Sequence, residues 1–278
     1  MRIVLTGGGT AGHFYPLIAI AESLRGIAEK EKLLQPEIFY ISVSPYDKKA
    51  LFENNITWKH VFSGKLRQYL SVLNIIDIPF LAIGFIQALF KLFRIYPDVV
   101  ISKGGYASVP VVFAARVLKI PLIIHESDAV PGRSNIWAAK FARRVAVSWD
   151  EAAKFFPSDK TAVTGQPVRK ALLNPITEGA REYLKLEERV PVILVLGGSQ
   201  GAELINNVIL DSLSELTEKY QIIHQTGIPH IKHAEQMASV VLPKDKYPNR
   251  YKPFAYLHDI ELQMSAGVAS LVISRAGS

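Results

Sequence analysis

A glycine-rich loop near the start of the chain constrains the fold more than any other feature. Residues 7–13 read Gly-Gly-Gly-Thr-Ala-Gly-His, and they lie between an apolar run, Arg2 to Leu5, and a segment with helical spacing, Leu17 to Leu24. A strand that turns through glycines into a helix aims backbone N–H groups and the positive end of the helix dipole at one point. The loop therefore predicts a Rossmann-like unit that binds a phosphate, a carboxylate or a polar sugar group. The alternative is a glycine turn that only lets strand and helix pack closely.

The loop also contains the spacing of the dinucleotide fingerprint, at Gly7, Gly9 and Gly12. That fingerprint needs an acidic residue at the end of the second strand to hold a ribose. The second predicted strand, Glu37 to Ser42, ends without one, which disfavours a dehydrogenase. The loop instead ends at His13, whose neutral imidazole can take a proton from an attacking hydroxyl at physiological pH.

The bulk composition bounds the functions that the chain can have. It has 278 residues, no cysteine and a net charge of +7. Without cysteine there is no disulfide or thiolate chemistry, and a reducing cytoplasm is the expected compartment. The positive charge favours anionic partners, either phosphates or an acidic membrane surface, whereas no motif for nucleic acid is present. The seven histidines are scattered, so we expect no metal site and no cofactor.

Strand-like runs alternate with helix-like runs, which is typical of parallel β-α-β units. The predicted strands cover residues 2–6, 37–42, 59–62, 99–102, 121–125, 144–148, 161–164, 191–196, 221–225 and 270–274, with a further candidate at 251–256. A Gly-Gln-Pro turn at 165–167 predicts the boundary between a first domain, residues 1–165, and a second, residues 166–278. Residues 170–189 are predicted to form a helical connection.

A second glycine loop, Gly-Gly-Ser-Gln-Gly-Ala at 197–202, follows the strand at 191–196. The chain therefore begins a Rossmann-like unit twice, and two such units form a cleft lined by the carboxyl ends of strands. Ser199 places a hydroxyl beside the N–H groups of this loop, as a diphosphate site requires. Arg169 is a candidate contact for an anionic or carbonyl group, or else a cation on a helix surface. His224, at the end of another strand, is a weaker candidate, since an interior histidine is often only packed.

Polar clusters follow two further strands of the first domain. Lys-Gly-Gly-Tyr at 103–106 contains glycines that let backbone approach a ligand, unless the segment is an ordinary turn. His-Glu-Ser-Asp at 125–128 is followed by Arg133 and Asn135. Side chains crowded at the end of a strand usually face a site, although capping of the helix that begins near Asn135 would explain some of them.

An apolar segment from Ile75 to Tyr96 has two interpretations. Charged, polar and proline residues interrupt it, so its clean apolar length falls short of the roughly 20 residues that a spanning helix needs. It is either a buried amphipathic helix or a helix that exposes apolar side chains to a membrane surface. Because it has more large apolar residues than one core-facing stripe requires, we favour the second. The predicted membrane patch consists of Ile75, Phe80, Ile83, Phe85, Lys91 and Arg94.

Six motifs occur in a fixed order along the chain. They are GGGTAGHFYP at 7–16, KGGYAS at 103–108, HESDAVPGRSN at 125–135, GQPVR at 165–169, GGSQGA at 197–202 and SRAGS at 274–278. Together they resemble the MurG family, the UDP-N-acetylglucosamine (UDP-GlcNAc) transferases of peptidoglycan synthesis, over the whole chain. The resemblance implies an α/β fold of the GT-B class, with two Rossmann-like, doubly wound parallel sheets facing a cleft. It places the acceptor lipid on the first domain and the nucleotide sugar on the second.

The resemblance also implies a reaction, an inverting transfer of GlcNAc from UDP-GlcNAc to the muramyl 4-hydroxyl of lipid I at the cytoplasmic face of the cell membrane. His13 matches the general base. The expected donor contacts are Thr10, Ala11, Gly12, Asp128, Arg169, Ser199 and Leu257, the last through its backbone and the uracil. The acceptor side is expected at Gly104, Gly105 and Tyr106. Asp128 stands where the family often has asparagine; a carboxylate accepts hydrogen bonds but does not donate them, so its role stays open.

In the family, the Arg-Ala-Gly-Ser motif continues into a helix with a ribose-binding glutamate, whereas this sequence stops at Ser278. We therefore expect the second sheet to be incomplete and the 278-residue chain to be weakly active or inactive by itself. The implied partners are UDP-GlcNAc, lipid I and the anionic inner leaflet. Two alternatives stay open: another GT-B glycosyltransferase with a different acceptor, and a non-catalytic module that binds a UDP-sugar or a lipid.

Overall fold

The computed structural model describes residues 1–64, 72–198, 201–242 and 249–275. The chain divides into two compact units, one from Met1 to Arg169 and one that begins at Lys170. Each unit is built on a parallel sheet with helices packed against it, as the alternation of strand-like and helix-like runs predicts. The Gly-Gln-Pro turn at 165–167 is the last part of the first unit before the division.

The first unit contains seven strands and six α-helices in its described residues. The strands are β1 (Arg2–Thr6), β2 (Glu37–Ser42), β3 (Ile56–His60), β4 (Val99–Ser102), β5 (Leu122–Glu126), β6 (Arg144–Val147) and β7 (Thr161–Val163). The helices are α1 (Ala11–Lys30), α2 (Lys48–Glu53), α3 (Val72–Ile95), α4 (Val109–Val117), α5 (Arg133–Ala139) and α6 (Asp150–Ala153).

The strand order of this sheet is β3-β2-β1-β4-β5-β6-β7, and every neighbouring pair is parallel. The order reverses between β1 and β4, so the connections after these two strands lead to opposite faces of the sheet. In open parallel sheets, ligands bind at the carboxyl ends of the strands beside such a switch point. The loops after β1, β4 and β5 are therefore brought to one edge.

Both faces of the sheet are covered, which is why its strands are almost continuously apolar. Ile3 and Leu5 of β1 are buried with Phe14 of α1 on one face. Val4 points to the other face, where it is buried with Leu92 of α3 and with residues of α4. Because successive side chains of β1 point to opposite faces of the sheet, this one strand contributes to both apolar cores.

The second unit contains four strands and six α-helices in its described residues. The strands are β8 (Val192–Leu196), β9 (Gln221–Gln225), β10 (Tyr251–Phe254) and β11 (Ala269–Ser274), in the order β10-β9-β8-β11 and all parallel. The helices are α7 (Lys170–Leu173), α8 (Ala180–Tyr183), α9 (Glu203–Asp211), α10 (Leu213–Lys219), α11 (Ile231–Val241) and α12 (Asp259–Val268). Its two apolar cores again lie on opposite faces of the sheet.

Two predictions of local structure need correction. The third strand was expected at 59–62, but it runs from Ile56 to His60, because the N–H of Phe62 donates to Gln87 Oε1 on α3 at 3.0 Å instead of joining the sheet. The segment 170–189 forms two single-turn helices rather than one long helix. Pro175 and Gly179, the latter with a φ of +67°, separate α7 from α8.

Candidate active site

Two side chains at the end of β2 form hydrogen bonds that fix the position of the first glycine loop. The carbonyl oxygen of Gly7 accepts hydrogen bonds from Tyr40 Oη at 2.7 Å and from Ser42 Oγ at 2.9 Å. Ser42 is fully buried at the position where a dinucleotide-binding fold would place its ribose carboxylate. At this position the Ser42 hydroxyl donates to the loop carbonyl, which an ionised carboxylate, having no proton to donate, could not do.

His13 lies in the first turn of α1, directly behind this loop. Its Nδ1 is 2.8 Å from Thr10 Oγ1, the side chain of the residue that precedes the helix. Burial lowers the pKa of the imidazole, and the charge of Lys103 lowers it further, against the opposing pull of Asp128 and Glu126. His13 is therefore neutral at pH 7. In the tautomer that donates from Nδ1 to Thr10 Oγ1, its Nε2 is a proton acceptor.

The glycines after β4 let the backbone approach His13 and its surroundings. Gly105 has a φ of +79°, and a Cβ placed on it would lie 2.8 Å from the carbonyl oxygen of Gly8 and 3.6 Å from His13 Nε2. A Cβ on Gly104 would lie 2.6 Å from Asn135 Oδ1. Side chains at these two positions would clash with Asn135 and with the backbone of Gly8, so this backbone path requires both glycines, and their expected contact with the acceptor stays a prediction.

The segment after β5 is organised by the buried carboxylate of Glu126. Its Oε1 accepts the N–H of Asp128, and its Oε2 accepts the N–H of Gly132 and the amide of Asn135, each at 3.0 Å. The helix that was expected to begin near Asn135 begins at Arg133, with Gly132 as its N-cap, so Asn135 lies within it. These contacts place the exposed side chain of Asp128 beyond the strand end.

The structure also locates four further predicted site residues of the first unit, Arg169 and the three residues from Thr10 to Gly12. The guanidinium of Arg169 stacks 4.3 Å above the ring of Tyr15, which is two residues beyond His13 on α1. Tyr15 is in turn fixed by a hydrogen bond from its Oη to Asp47 Oδ2 at 3.0 Å. Arg169 is therefore a stacked cation beside the first loop, and its donor contact stays a prediction. Ala11 and Gly12 are the first two residues of α1, and Thr10 is its N-cap residue.

The second glycine loop follows β8 in the other unit. Gly201 has a φ of +79° and packs so closely on the carbonyl oxygen of Thr226 and on His230 that no side chain fits. Gly198 has a φ of +78°, and a Cβ there would lie 3.5 Å from Arg275 Nη2, a cation that the sequence-based site did not include. Ser199 lies outside the described residues, so its contact with a diphosphate stays a prediction.

Leu257 and His224 have separate roles in the second unit. The N–H of Leu257 donates to Gln225 Oε1 at 3.0 Å, which fixes the backbone segment expected to read the uracil. His224 is completely buried, 3.0 Å from Asn206 Oδ1 and 2.9 Å from Tyr251 Oη, and burial lowers its pKa to about 4. Its contacts are those of a packed, satisfied interior residue.

The helix α3 exposes an apolar stripe. Continuous through Pro79, it contains one segment, Asp77–Ile95, that is long and apolar enough to cross a membrane by length and composition, a test that core helices also pass. The segment still contains Asp77, Lys91 and Arg94, so the expectation that its uninterrupted apolar length is too short for a span stays a prediction. The stripe consists of Ile78, Phe80, Ile83, Ile86, Phe90 and Phe93, each between 42% and 69% exposed.

The predicted patch differs from this stripe in part. Phe85 packs on the core and on the ring of Phe113, with 4.8 Å between centroids, so it does not belong to the exposed stripe. The side chain of Ile75 lies outside the described part of the chain. Lys91 and Arg94 line a pocket of about 460 Å³ together with two further cations, one carboxylate and two apolar side chains: Arg2, Lys59, Glu37, Phe39 and Ile95.

Comparison with known proteins follows the same division into two units. Residues 3–147 match the glycosyltransferase family 28 N-terminal domain, and residues 192–278 match the glycosyltransferase family 28 C-terminal domain. The chain belongs to glycosyltransferase family 28. This family 28 chain is 38% identical over 281 residues to a relative from Bacillus thuringiensis named UDP-N-acetylglucosamine--N-acetylmuramyl-(pentapeptide) pyrophosphoryl-undecaprenol N-acetylglucosamine transferase 3. The match covers 100% of this chain and 74% of the relative.

Solved structures support the fold. MurG from Acinetobacter baumannii matches 99% of the family 28 chain and 72% of its own, with a TM-score of 0.62 and 23% identity. A UDP-GlcNAc 2-epimerase from Neisseria meningitidis, solved with UDP-GlcNAc, matches 100% of the chain and 78% of its own, with a TM-score of 0.61 and 14% identity. The predicted resemblance to MurG and the predicted GT-B fold with two parallel Rossmann-like sheets are confirmed.

Proposed function

We propose that this glycosyltransferase moves GlcNAc from UDP-GlcNAc to the muramyl 4-hydroxyl of undecaprenyl-pyrophosphoryl-MurNAc-peptide, the step that converts lipid I to lipid II in peptidoglycan synthesis. The observation that carries the proposal is the match, over the whole of this chain, to relatives named for this transfer. The site supports it, because one unit holds a neutral histidine beside a glycine loop and the other holds a glycine loop with a nearby arginine.

In the reaction that we propose, the muramyl 4-oxygen attacks C1 of GlcNAc on the side opposite to UDP. The hydroxyl proton passes to His13 Nε2, while the bond between C1 and the phosphate oxygen breaks and its electron pair leaves with UDP. Inversion at C1 follows from this single displacement. His13 contributes by being uncharged before the attack and by holding the proton afterwards.

In this proposal the second unit binds the donor. Positive φ values at Gly198 and Gly201 shape a loop whose N–H groups suit a diphosphate, and Arg275 beside Gly198 adds positive charge. The backbone segment at Leu257, fixed by Gln225, is the expected contact of the uracil. Developing charge on the leaving diphosphate is thus opposed by a cation and by backbone dipoles.

Replacing His13 by alanine tests the catalytic role. We expect GlcNAc transfer to lipid I to fall by about 10²- to 10⁴-fold, which is the usual contribution of a general base. UDP binding, measured by calorimetry, should stay within a factor of about two to three of the parent, because His13 lies in the first unit. His233→Ala is the matched control, since His233 is an exposed histidine of α11.

The outcomes of this experiment separate the candidate functions. Transfer that survives in His13→Ala while His233→Ala is normal would remove His13 from the mechanism. UDP-GlcNAc binding without any transfer, both by the 278-residue chain and by a chain extended with the corresponding C-terminal segment of a family 28 relative, would favour a non-catalytic binding module. Transfer to a different acceptor, with lipid I untouched, would identify another GT-B transferase.

We also propose that the stripe on α3 lies on the anionic cytoplasmic leaflet, where the lipid acceptor is located. Exposed phenylalanines and isoleucines support this location, and so do Lys91 and Arg94 in the neighbouring basic pocket. Flotation with vesicles that contain acidic phospholipid tests the proposal.

We expect Phe90→Ser together with Phe93→Ser to reduce vesicle binding by about tenfold or more, because two large apolar side chains lose their burial in lipid. The control is Leu204→Ser with Val208→Ser, two exposed apolar residues on α9 of the second unit. Equal loss of binding in both pairs, or no binding by the parent chain, would contradict the membrane assignment.

A further inference from the structure

Lys103 is a buried cation at the start of the glycine segment after β4. Only 2% of the residue is exposed, and its Nζ is hydrogen-bonded to His125 Nδ1 at 3.0 Å and to Ser127 Oγ. Both partners are neutral, because burial lowers the pKa of His125 to about 4. A buried ammonium is costly, and hydrogen bonds to neutral groups offset only part of that cost. Its position therefore calls for a functional explanation.

The hydrogen bonds around Lys103 have one consistent direction. His125 Nε2 lies 3.0 Å from the carbonyl oxygen of Gly165, which only accepts, so the proton is on Nε2 and Nδ1 accepts from the ammonium. Ser127 Oγ accepts from Lys103 and donates to Gln166 Oε1 at 2.6 Å. Both His125 Nδ1 and Ser127 Oγ therefore accept hydrogen bonds from Lys103. A charged ammonium requires such partners, because it has donors and no acceptor.

The same side chain begins beside His13. A Cβ placed on Gly7 would lie 3.0 Å from Lys103 Cβ and 3.4 Å from the carbonyl oxygen of His13. Two residues further along, Gly105 borders the imidazole itself. The backbones of Lys103 and His13 are therefore close together, and the buried ammonium of Lys103 acts on the imidazole from within the same unit.

Other ionisable groups act on His13 from neighbouring elements. Glu126 and Asp128, from the end of β5, act on His13 in the opposite sense to Lys103, and both stabilise the ammonium. Burial nevertheless lowers the pKa of Lys103 to about 8, so the ammonium is mostly charged at pH 7. Without Lys103, the two carboxylates would act on His13 unopposed by this cation.

On the basis of the transfer reaction proposed above, we propose that Lys103 is a positioning residue. Its buried ammonium, fixed by His125 and Ser127, adds to the effect of burial and favours the uncharged imidazole of His13, the form that accepts the proton of the acceptor hydroxyl. No covalent step involves Lys103. Its effect is electrostatic, since a positive charge in the same buried, low-dielectric surroundings disfavours the positively charged imidazolium.

The test is a titration of His13 in the complete 278-residue chain, followed by NMR with labelled histidine side chains. The His13 resonance is assigned by its disappearance in His13→Ala. In Lys103→Met, which removes the charge, we expect the pKa of His13 to rise by about half a unit to one unit. Lys103→Arg keeps the charge and should restore most of the parent value. In assays of transfer, the acid limb of kcat/KM should move to higher pH by the same amount.

Lys30→Met is the matched control. It removes the same charge from the exposed last residue of α1, about 25 Å from His13 along the helix axis, so it should leave the titration unchanged. If Lys103→Met does not fold, Lys103→Gln makes the same measurement with a polar uncharged side chain.

An unchanged pKa of His13 in a folded, uncharged variant would overturn the inference. A purely structural role for Lys103 predicts lower activity at every pH with no shift of the acid limb. That result would also contradict the inference. The titration needs no turnover. If His13→Ala transfers GlcNAc as well as the parent chain but the pKa moves in Lys103→Met, the proposed role of His13 in transfer fails and the electrostatic coupling stands; if transfer depends on His13 and the pKa does not move, only the coupling fails.

Discussion

The two glycine loops share one local plan, strand to glycines to helix, but the neighbouring strand ends differ. Around the first loop, β4 contributes Lys103 and β5 contributes Glu126 and Asp128, so the imidazole of His13 is surrounded by groups that adjust its charge. Around the second loop, the neighbours are the carbonyl oxygen of Thr226 and the guanidinium of Arg275. In the reaction proposed above, the first loop serves proton transfer and the second holds the anionic diphosphate.

The two buried histidines, His125 and His224, also differ in the partners that surround them. His125 and His224 are each the next-to-last residue of an interior strand, and burial lowers the pKa of each to about 4. His224 is bonded to Asn206 and Tyr251, which are themselves interior residues, whereas His125 is bonded to the Lys103 ammonium. A histidine at a strand end therefore indicates function only through its partners.

The largest expected difference between the two loops concerns their glycines. Gly105→Ala should reduce GlcNAc transfer by about 100-fold or more, because the new Cβ would displace the segment that borders His13. It should leave UDP affinity nearly unchanged. Gly201→Ala, which would clash with Thr226 and His230, should instead weaken UDP binding and leave the His13 titration intact. Kinetics, calorimetry and NMR titration measure the three effects.

Gly179→Ala controls for backbone strain in this experiment. Its φ is +67° but nothing lies within 4 Å of the position of its Cβ, so it carries the conformational cost of about 1–3 kcal/mol without a clash. If all three variants lose the same functions, the two loops do not have separate roles and the comparison fails.

Acid should destabilise both units through their buried histidines. A histidine whose pKa is 6.5 when unfolded and about 4 when folded binds its proton only in the unfolded chain between these values. Stability is complete above pH 6.5 and falls as the pH drops, by about 2 kcal/mol per histidine at pH 5. Urea unfolding at pH 7 and pH 5 measures the loss.

Tryptophan fluorescence makes this measurement specific to one unit, because all three tryptophans, Trp58, Trp137 and Trp149, lie in the first unit. In Lys103→Met the acid sensitivity of the first unit should decrease, since the charge of Lys103 is the second cause of the low pKa of His125. Hydrogen exchange in β8 and β9 should show unchanged acid sensitivity around His224, where burial is the cause. A decrease in both units would show that Lys103 acts on global stability.

The smallest expected effects concern single hydrogen bonds that hold each site. Tyr40→Phe removes the bond to the carbonyl oxygen of Gly7, and Gln225→Leu removes the bond to the N–H of Leu257. Each should cost about 1–2 kcal/mol of unfolding free energy, because a buried backbone group loses one partner. Tyr40→Phe should lower transfer more than UDP affinity, and Gln225→Leu should do the reverse. Reversed results would exchange the roles of the two units.

Much of the fold and part of the site were predictable from the sequence. The apolar runs of β1, β8 and β9 and the glycines behind them follow local rules of period and turn chemistry, and the structure places these strands as expected. The edge strand β3 and the segment after Lys170 were predicted wrongly. For β3, the contact of Phe62 with α3 ends the strand earlier than the local pattern predicts. For the segment after Lys170, Pro175 and Gly179 interrupt the helix that the pattern predicts.

The sequence by itself determined that His13 begins a helix behind a glycine loop, because strand, glycines and helical spacing are all local and adjacent in the chain. Only the tertiary structure decided that Lys103 lies beside it and is bonded to His125, that Glu126 accepts from Asn135, and that Phe85 faces the core while Phe93 is exposed. These contacts depend on the strand order β1-β4-β5 and on the rotation of α3 against α4. Such long-range pairings are selected by packing of the whole sheet, which no short stretch of residues specifies.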